Sequence, residues 1–323
     1  MKKKSILSLL CLLMMVTGLP ALSLAADYPE RPIQMIVAFN PGGGTDVAAR
    51  GIARYIEKYL GADAKIAIVN KPGAGGEIGF TTLATAKPDG YTIGFINVPA
   101  IISYAIERDT KYQMSDFAPL GNIVYDPGVW AVRSDSEIKN LQDALEFAKA
   151  NPGILTVGTT GSSGSSEHVT IMQIERMTDT KYNHAPFGST APMRSALLGG
   201  HVPMGAFNLS EGITLEAEGK IRFLGCMSDT RSPLAPHVPT FKEQGLDVVM
   251  GSSRGLAVPK GLPDEIFKKL EEAVKQAVND PEYVAQSKKA SVPLNYMTGA
   301  EYKGLIDRFD TELRKIWAVS PWK

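Results

Sequence analysis

The sequence predicts an α/β protein of two lobes, each a mainly parallel sheet flanked by helices, with a ligand held between them. Three observations predict it. The chain has 323 residues, 44% hydrophobic and 21% charged, a soluble globular composition too long for one ordinary core. Short apolar strands alternate with helical runs in two successive sets. Each set contains a glycine-rich loop between a strand and a helix, at 40–46 and at 157–168, and such a loop brings backbone N–H groups and the positive end of a helix dipole to one place.

The chain opens on Lys2, Lys3 and Lys4, then an apolar stretch over 6–16 and small residues before Asp27. This is the pattern of a cleaved secretory signal over 1–26. Its apolar run ends at Gly18-Leu19-Pro20, short of the roughly 20 residues that span a bilayer. A periplasmic protein with no membrane insertion after cleavage is expected. Removing the leader lowers the basic residues from 34 to 31 against 34 acidic ones, a net charge of −3, so no basic face for nucleic acid is implied. Cys11 lies in the leader without the small residues that a lipid-attachment cysteine follows. Cys226 is the only cysteine left, in an apolar strand where a buried inert thiol is expected. With no intramolecular disulfide, the exported chain relies on a large core.

In the first set, the strand at 33–39 enters the first loop and a helix. A strand at 66–69, a helix at 77–86 and a strand at 91–96 complete a βαβαβ unit, with turns at Lys71-Pro72-Gly73 and Lys87-Pro88-Asp89-Gly90. Apolar runs at 117–125 and 129–133 mark the first crossing between lobes. The second set reads as helix 141–150, strand 154–158, helix 166–177, helix 192–198, strand 202–207, helix 213–218 and strand 221–226. The return passes strands at 247–250 and 255–259, and helices follow at 262–279, 281–290 and 299–316. Lobe 1 is thus 27–125 with 250–323, and lobe 2 is 126–249.

The first loop, Asn40-Pro41-Gly42-Gly43-Gly44-Thr45-Asp46, lacks the Lys-Ser/Thr of a P-loop, and Val47 occupies the third glycine position of the dinucleotide fingerprint. A tight turn or an anion site made of backbone remains. The second loop carries six hydroxyls and three glycines over 158–166, enough donors to ring a carboxylate without a cation. Ser166 reads either as a donor or as a helix N-cap. Ser163 or Ser165 with His168 offers an alternative, an exported serine hydrolase, although no Gly-x-Ser-x-Gly elbow or orienting acid accompanies them. His184, His201 and His237 have no ligand spacing, so no metal or cofactor is expected. Asn97 and Asn208 stand at strand ends, where each lobe would meet a ligand.

These residues carry a resemblance. YPERPIQMIVAFNPGGGTD at 28–46, VNKPGAGGEIG at 69–79 and AKPDGYT at 86–92 resemble the opening signature of the tripartite tricarboxylate transporter substrate-binding proteins, the TctC-like or Bug family. GSSGSSEH at 161–168, LLGGHV at 197–202, VPTFKEQG at 238–245 and RGLAVPKG at 254–261 are similar to its later blocks. The resemblance implies a type II Venus flytrap receptor without covalent chemistry that closes on a small carboxylate and delivers it to membrane permease subunits of a tripartite transporter; a signalling sensor is the other partner such a receptor serves. It implies a carboxylate grip at Gly43, Gly44, Thr45 and Asp46, with Gly75 in the second block, and at Thr159, Thr160, Ser162, Ser163, Gly164 and Ser165. Two departures follow. Phe187 stands where many members have a hydroxyl and a cation, implying a less polar contact. An aromatic is replaced around Ser252-Ser253, with Arg254 beside them; facing the cleft, Arg254 would pair with the second carboxylate of a diacid, and otherwise it reads as a surface or hinge arginine.

Overall fold

The computed structural model describes residues 28–319 and 321–322, so the expected leader and Cys11 lie outside the described residues. In chain order the elements are β1 (Ile33–Val37), α1 (Gly44–Leu60), β2 (Ile66–Asn70), α2 (Glu77–Ala84), β3 (Thr92–Val98), α3 (Ala100–Glu107) and β4 (Phe117–Arg133). Next come α4 (Leu141–Ala150), β5 (Thr156–Thr159), α5 (Ser166–Thr178), β6 (Asn183–Pro186), α6 (Thr190–Leu198), β7 (Met204–Asn208), α7 (Leu209–Ala217) and β8 (Ile221–Cys226). The chain returns through β9 (Gly251–Pro259), α8 (Asp264–Val278), α9 (Pro281–Lys289), β10 (Leu294–Thr298) and α10 (Gly299–Val319).

The strands run in the order β2-β1-β3-β9-β4-β7-β5-β6, with β8 and β10 also paired to β4. The outer βα units are parallel, β1 with β2 and β3, and β5 with β6 and β7. Every pair involving β4 or β9 is antiparallel. The sheets are therefore mixed, not mainly parallel as expected, because these two strands pass directly between the lobes in opposite senses without a helical crossover. Strand β4 is continuous over 17 residues. The crossing at Asp126-Pro127 is no break, since these residues pair with Ser252 and Gly251.

Helix α1 forms because Ala48, Ala49, Ile52, Ile56 and Leu60 recur at helical spacing and are buried, while Arg50, Arg54 and Lys58 face solvent. Burying each of Ile52, Ile56 and Leu60 contributes about 1.5–3 kcal/mol. With α8 it covers a first core of Ile33, Met35, Phe95, Leu256, Val258, Leu270 and Val274. A second core, Val129, Met193, Leu197, Phe207 and Phe223, lies in the other lobe. A third joins the lobes through Ile101, Tyr104, Trp130, Val157, Phe241, Tyr302 and Trp322. Trp322 is buried edge-on to Trp317, with centroids 4.8 Å apart. Cys226 is buried as expected, and burial pushes its thiol pKa up, keeping it protonated.

Several boundaries differ. The expected strand at 247–250 is absent; Val248 N–H donates back to Leu246 O at 2.8 Å, and the backbone bonds to distant segments are at Met250, its N–H donating to Met227 O at 3.0 Å and its O accepting from Gly128 N–H at 2.9 Å, too little for a ladder. Helix α7 begins at Leu209 instead of 213 and α6 at Thr190 instead of 192. Helix α3 and strands β6 and β10 were not anticipated. No described helix is long and apolar enough to cross a membrane.

Candidate functional site

The N-termini of five helices meet at one cavity. Its walls include Gly43, Gly44 and Thr45 of α1, Pro99 and Ala100 of α3, Ser165, Ser166 and Glu167 of α5, Ser189 and Thr190 of α6, and Asn208 and Glu211 of α7. The cavity measures about 60 Å³. At ~10–15 Å³ per water this is room for roughly four to six water-sized groups. The starts of α1, α3 and α6 have no side-chain cap, which leaves first-turn N–H groups open to a ligand. Each end carries about half a positive charge.

The first loop is braced from behind. Asp46 Oδ2 accepts from Gly42 N–H and Arg50 Nε, and its Oδ1 accepts from Asn70 Nδ2, all at 2.9 Å. Burial raises the Asp46 carboxyl, but the bonds from Arg50, Gly42 and Asn70 outweigh it and hold its pKa below the usual 3.8. A Cβ at Gly44 would lie 2.6 Å from Glu211 Oε1 and 2.7 Å from Arg254 Nη2, so any larger residue there would have to displace the Arg254–Glu211 pair. Asn97 Nδ2 donates to Thr45 Oγ1 at 2.8 Å, and Asn97 Oδ1 is buried with no hydrogen-bond partner among the described residues.

In the second loop, Thr160 Oγ1 donates to Glu167 Oε1 at 2.9 Å, and burial pushes the Glu167 carboxyl pKa up. Ser165 Oγ caps α5 by accepting from His168 N–H at 3.3 Å. The His168 ring turns elsewhere. Its Nδ1 accepts from Gly164 N–H at 3.1 Å, and the ring stacks on His184 at a centroid distance of 4.1 Å. Thus the imidazole engages the Gly164 backbone, and the serine–histidine pair of the hydrolase alternative is not assembled. Burial lowers both imidazoles to about 4.

Arg254 enters from β9 and lines the cavity. Its Nη1 donates to Asp126 Oδ2 at 3.0 Å and its Nη2 to Glu211 Oε1 at 2.9 Å, so the guanidinium is already paired and is not the free cation expected from the sequence. Asp126 is fully buried, and burial pushes its carboxyl pKa up even against the Arg254 charge. Glu211 also accepts from Asn208 N–H at 3.2 Å, closing the capping box of α7.

Eight expected residues, Gly43, Gly44, Thr45, Asn97, Thr160, Ser165, Asn208 and Arg254, are brought together in the cavity lining. Seven are not. Asp46 stands behind the first loop, and Thr159 behind the second, its Oγ1 donating to Gly161 O at 2.9 Å. Gly75, at φ 74°, faces Ser162 and Tyr104 across the cleft mouth, where a Cβ would come within 2.6 Å of the Tyr104 hydroxyl. Gly164 lies under Trp322 and Ser103, and Ser163 is outside the lining. Phe187 packs against Gly158 and the second-lobe core, not into the cavity, because an apolar ring gains more from that surface. Phe39, Tyr104, Glu167, Ser189, Thr190, Glu211 and Ser252 line the cavity without having been anticipated. Ser189-Thr190 ahead of Pro192, and Glu211 three residues after Asn208, are helix-start signals that would have found three of them.

Two α/β lobes joined by two crossing strands, with a cavity walled by helix N-termini from both, define the Venus flytrap form of a periplasmic binding protein. The chain belongs to the TctC family, the tripartite tricarboxylate transporter family receptors, which matches over residues 48–316. It is 33% identical over 291 residues to the UPF0065 protein in the gbd 5′ region of Cupriavidus necator, covering 89% of this chain and 86% of that one. An R. palustris protein solved with adipate superposes with a TM-score of 0.84 at 25% identity, over 90% of this chain and 98% of that one. MatC from Rhodopseudomonas palustris with bound malate gives 0.80 at 25% identity, over 90% and 99%. The family is one of solute-binding receptors.

Proposed function

We propose that this protein is an extracytoplasmic receptor that captures a small organic acid between its lobes and passes it to the permease of a tripartite transporter, after a signal peptide over 1–26 has directed it to the periplasm. The convergence of five helix N-termini on one cavity carries this reading. It explains how a chain of slightly acidic balance accommodates an anion without a free cation at the site. The adipate and malate of the two solved relatives point to the same ligand class.

Lobe 1 supplies the ends of α1 and α3, and lobe 2 those of α5, α6 and α7. A carboxylate bonded to N–H groups from both lobes binds the closed form more tightly and draws the population to it. Turning a 1:99 equilibrium into 99:1 takes about 5.5 kcal/mol of such preference. The bodies that move are 27–125 with 250–323 against 126–249, and they flex on β4 and β9 near Asp126 and Arg254. Gly43, Gly44, Thr45, Asn97, Thr160, Ser165 and Asn208 meet the ligand, while Asp46 and Thr159 hold the loops in shape.

The test is thermal unfolding of the leader-free protein with mono-, di- and tricarboxylates, amino acids, aromatic acids and neutral sugars. A ligand at ~100 times its Kd adds about 2.7 kcal/mol. A narrow set of stabilising acids is the expected result, and a response to sugars alone overturns the reading. Delivery is tested by uptake of the identified acid in cells lacking either this chain or the permease; both deletions should abolish it at low concentration.

A further inference from the structure

We propose that the ligand is a compact zwitterion, an amino-substituted carboxylic acid whose ammonium donates to the acceptors lining the cavity, Glu167 above all, while its carboxylate sits at the helix N-termini. This rests on the carboxylate-receptor reading above. The first argument is charge. Asp126, Arg254 and Glu211 form a closed set of two acids on one base. Glu167, 7% exposed, also lines the cavity, and among the described residues no Lys, Arg or His lies within ion-pair distance of it. A free dianion or trianion entering here meets an excess of carboxylate side chains with only helix dipoles to oppose them. A carboxylate with its own ammonium meets both signs, and the dipoles and the acid are each matched.

The second argument is an unmet acceptor. Asn97 is 5% exposed and held by its Nδ2 bond to Thr45 Oγ1, so Oδ1 is left in the cavity wall with no donor among the described residues. An unsubstituted acid has nothing to give it. An ammonium has three donors, enough for Oδ1 and Glu167 together. Size agrees, since a cavity of about 60 Å³ suits a short skeleton.

The experiment compares matched acids by calorimetry on the leader-free protein: propionate, lactate and alanine, then succinate, malate and aspartate. The amino member of a series should bind at least ~100-fold more tightly than the unsubstituted one, as a site built for a polar substituent discriminates. Glu167→Gln should cut that ratio at least ~10-fold, the loss falling on the amino member. The wild-type series carries the test even if the variant fails to fold. Equal affinity for substituted and unsubstituted members overturns the proposal. So does a preference for diacids that strengthens as pH falls, which would make Glu167 a protonated donor to a second carboxylate. Failure of every carboxylate to bind overturns the receptor reading itself, and this inference with it.

Discussion

Replacing Arg254 by Met removes the one cation from a set of three buried charges and leaves Asp126, 0% exposed, and Glu211 facing each other. With charge centres ~4 Å apart and an effective dielectric of ~20, each pair contributes about 4 kcal/mol. Repulsion between the two carboxylates and the desolvation of the guanidinium offset part of this. The net cost of removing one partner from a buried pair is about 3–5 kcal/mol. At about 2.1 cal/mol/K per residue over roughly 290 residues, that lowers Tm by about 5–8 °C. The cost depends on pH with a definite sign. The Asp126 carboxyl is already raised above 3.8 by burial, and losing Arg254 raises it further. A carboxyl with a raised folded pKa holds its proton better when folded, so stability is greatest in acid and falls as pH rises from 3.8 through the folded value. Calorimetric melting of the leader-free Arg254→Met protein should therefore show a smaller loss at pH 5 than at pH 8, and adding Asp126→Asn should restore part of it. A Tm within a degree of wild type at pH 8, or a larger loss at pH 5, refutes the reasoning.

Gly44→Ala places a Cβ 2.6 Å from Glu211 Oε1, and the expected result is a loss of about 1–3 kcal/mol with ligand affinity weakened at least ~10-fold, read by melting and calorimetry. Asp46→Ala strands the three donors it accepts from and should cost about 1–3 kcal/mol in urea unfolding. Because the Asp46 pKa lies below 3.8 in the fold, its contribution is full above that pH and is lost as pH falls through the folded value. The stacked His168 and His184 act at higher pH. With both pKa values lowered by burial to about 4, their contribution is complete above 6.5 and is lost as pH falls from 6.5 to about 4; His168→Gln should flatten that decline in urea titrations at pH 7 and pH 5.

The βαβαβ unit and both glycine loops were legible because strand, turn and helix each carry a local signal: period, glycine and amphipathic spacing. The partners of Arg254 were not legible. Asp126 and Glu211 lie 128 and 43 residues away, and their meeting depends on how two crossing strands and one helix start are stacked. Helix α3 was hidden because its sequence, AIISYAIE, continues the apolar run of β3 without a polar face to set a period. Strands β6 and β10, NHAP and LNYMT, have little apolar alternation of their own and are strands because β5 and β4 offer them an edge. Phe187 and Gly75 were placed by family likeness, and packing put one in a core and the other at the cleft mouth. Glu167 was visible within the second loop, yet no local rule says that a first-turn glutamate faces a cavity instead of solvent.

Strand β9 stands between β3 and β4, although it is separated from β3 by about 150 residues of chain. The sheet of the first lobe therefore cannot be completed until residues 251–259 have arrived. As the chain is made from the N-terminus, β1, β2 and β3 wait with the edge of β3 bare, while β5, β6 and β7 can already pair among themselves. A bare apolar edge is a template for pairing with another chain. Any stall, cleavage or truncation before residue 251 leaves that edge uncovered, so the solubility of the first third of this chain is decided by a strand made near its end.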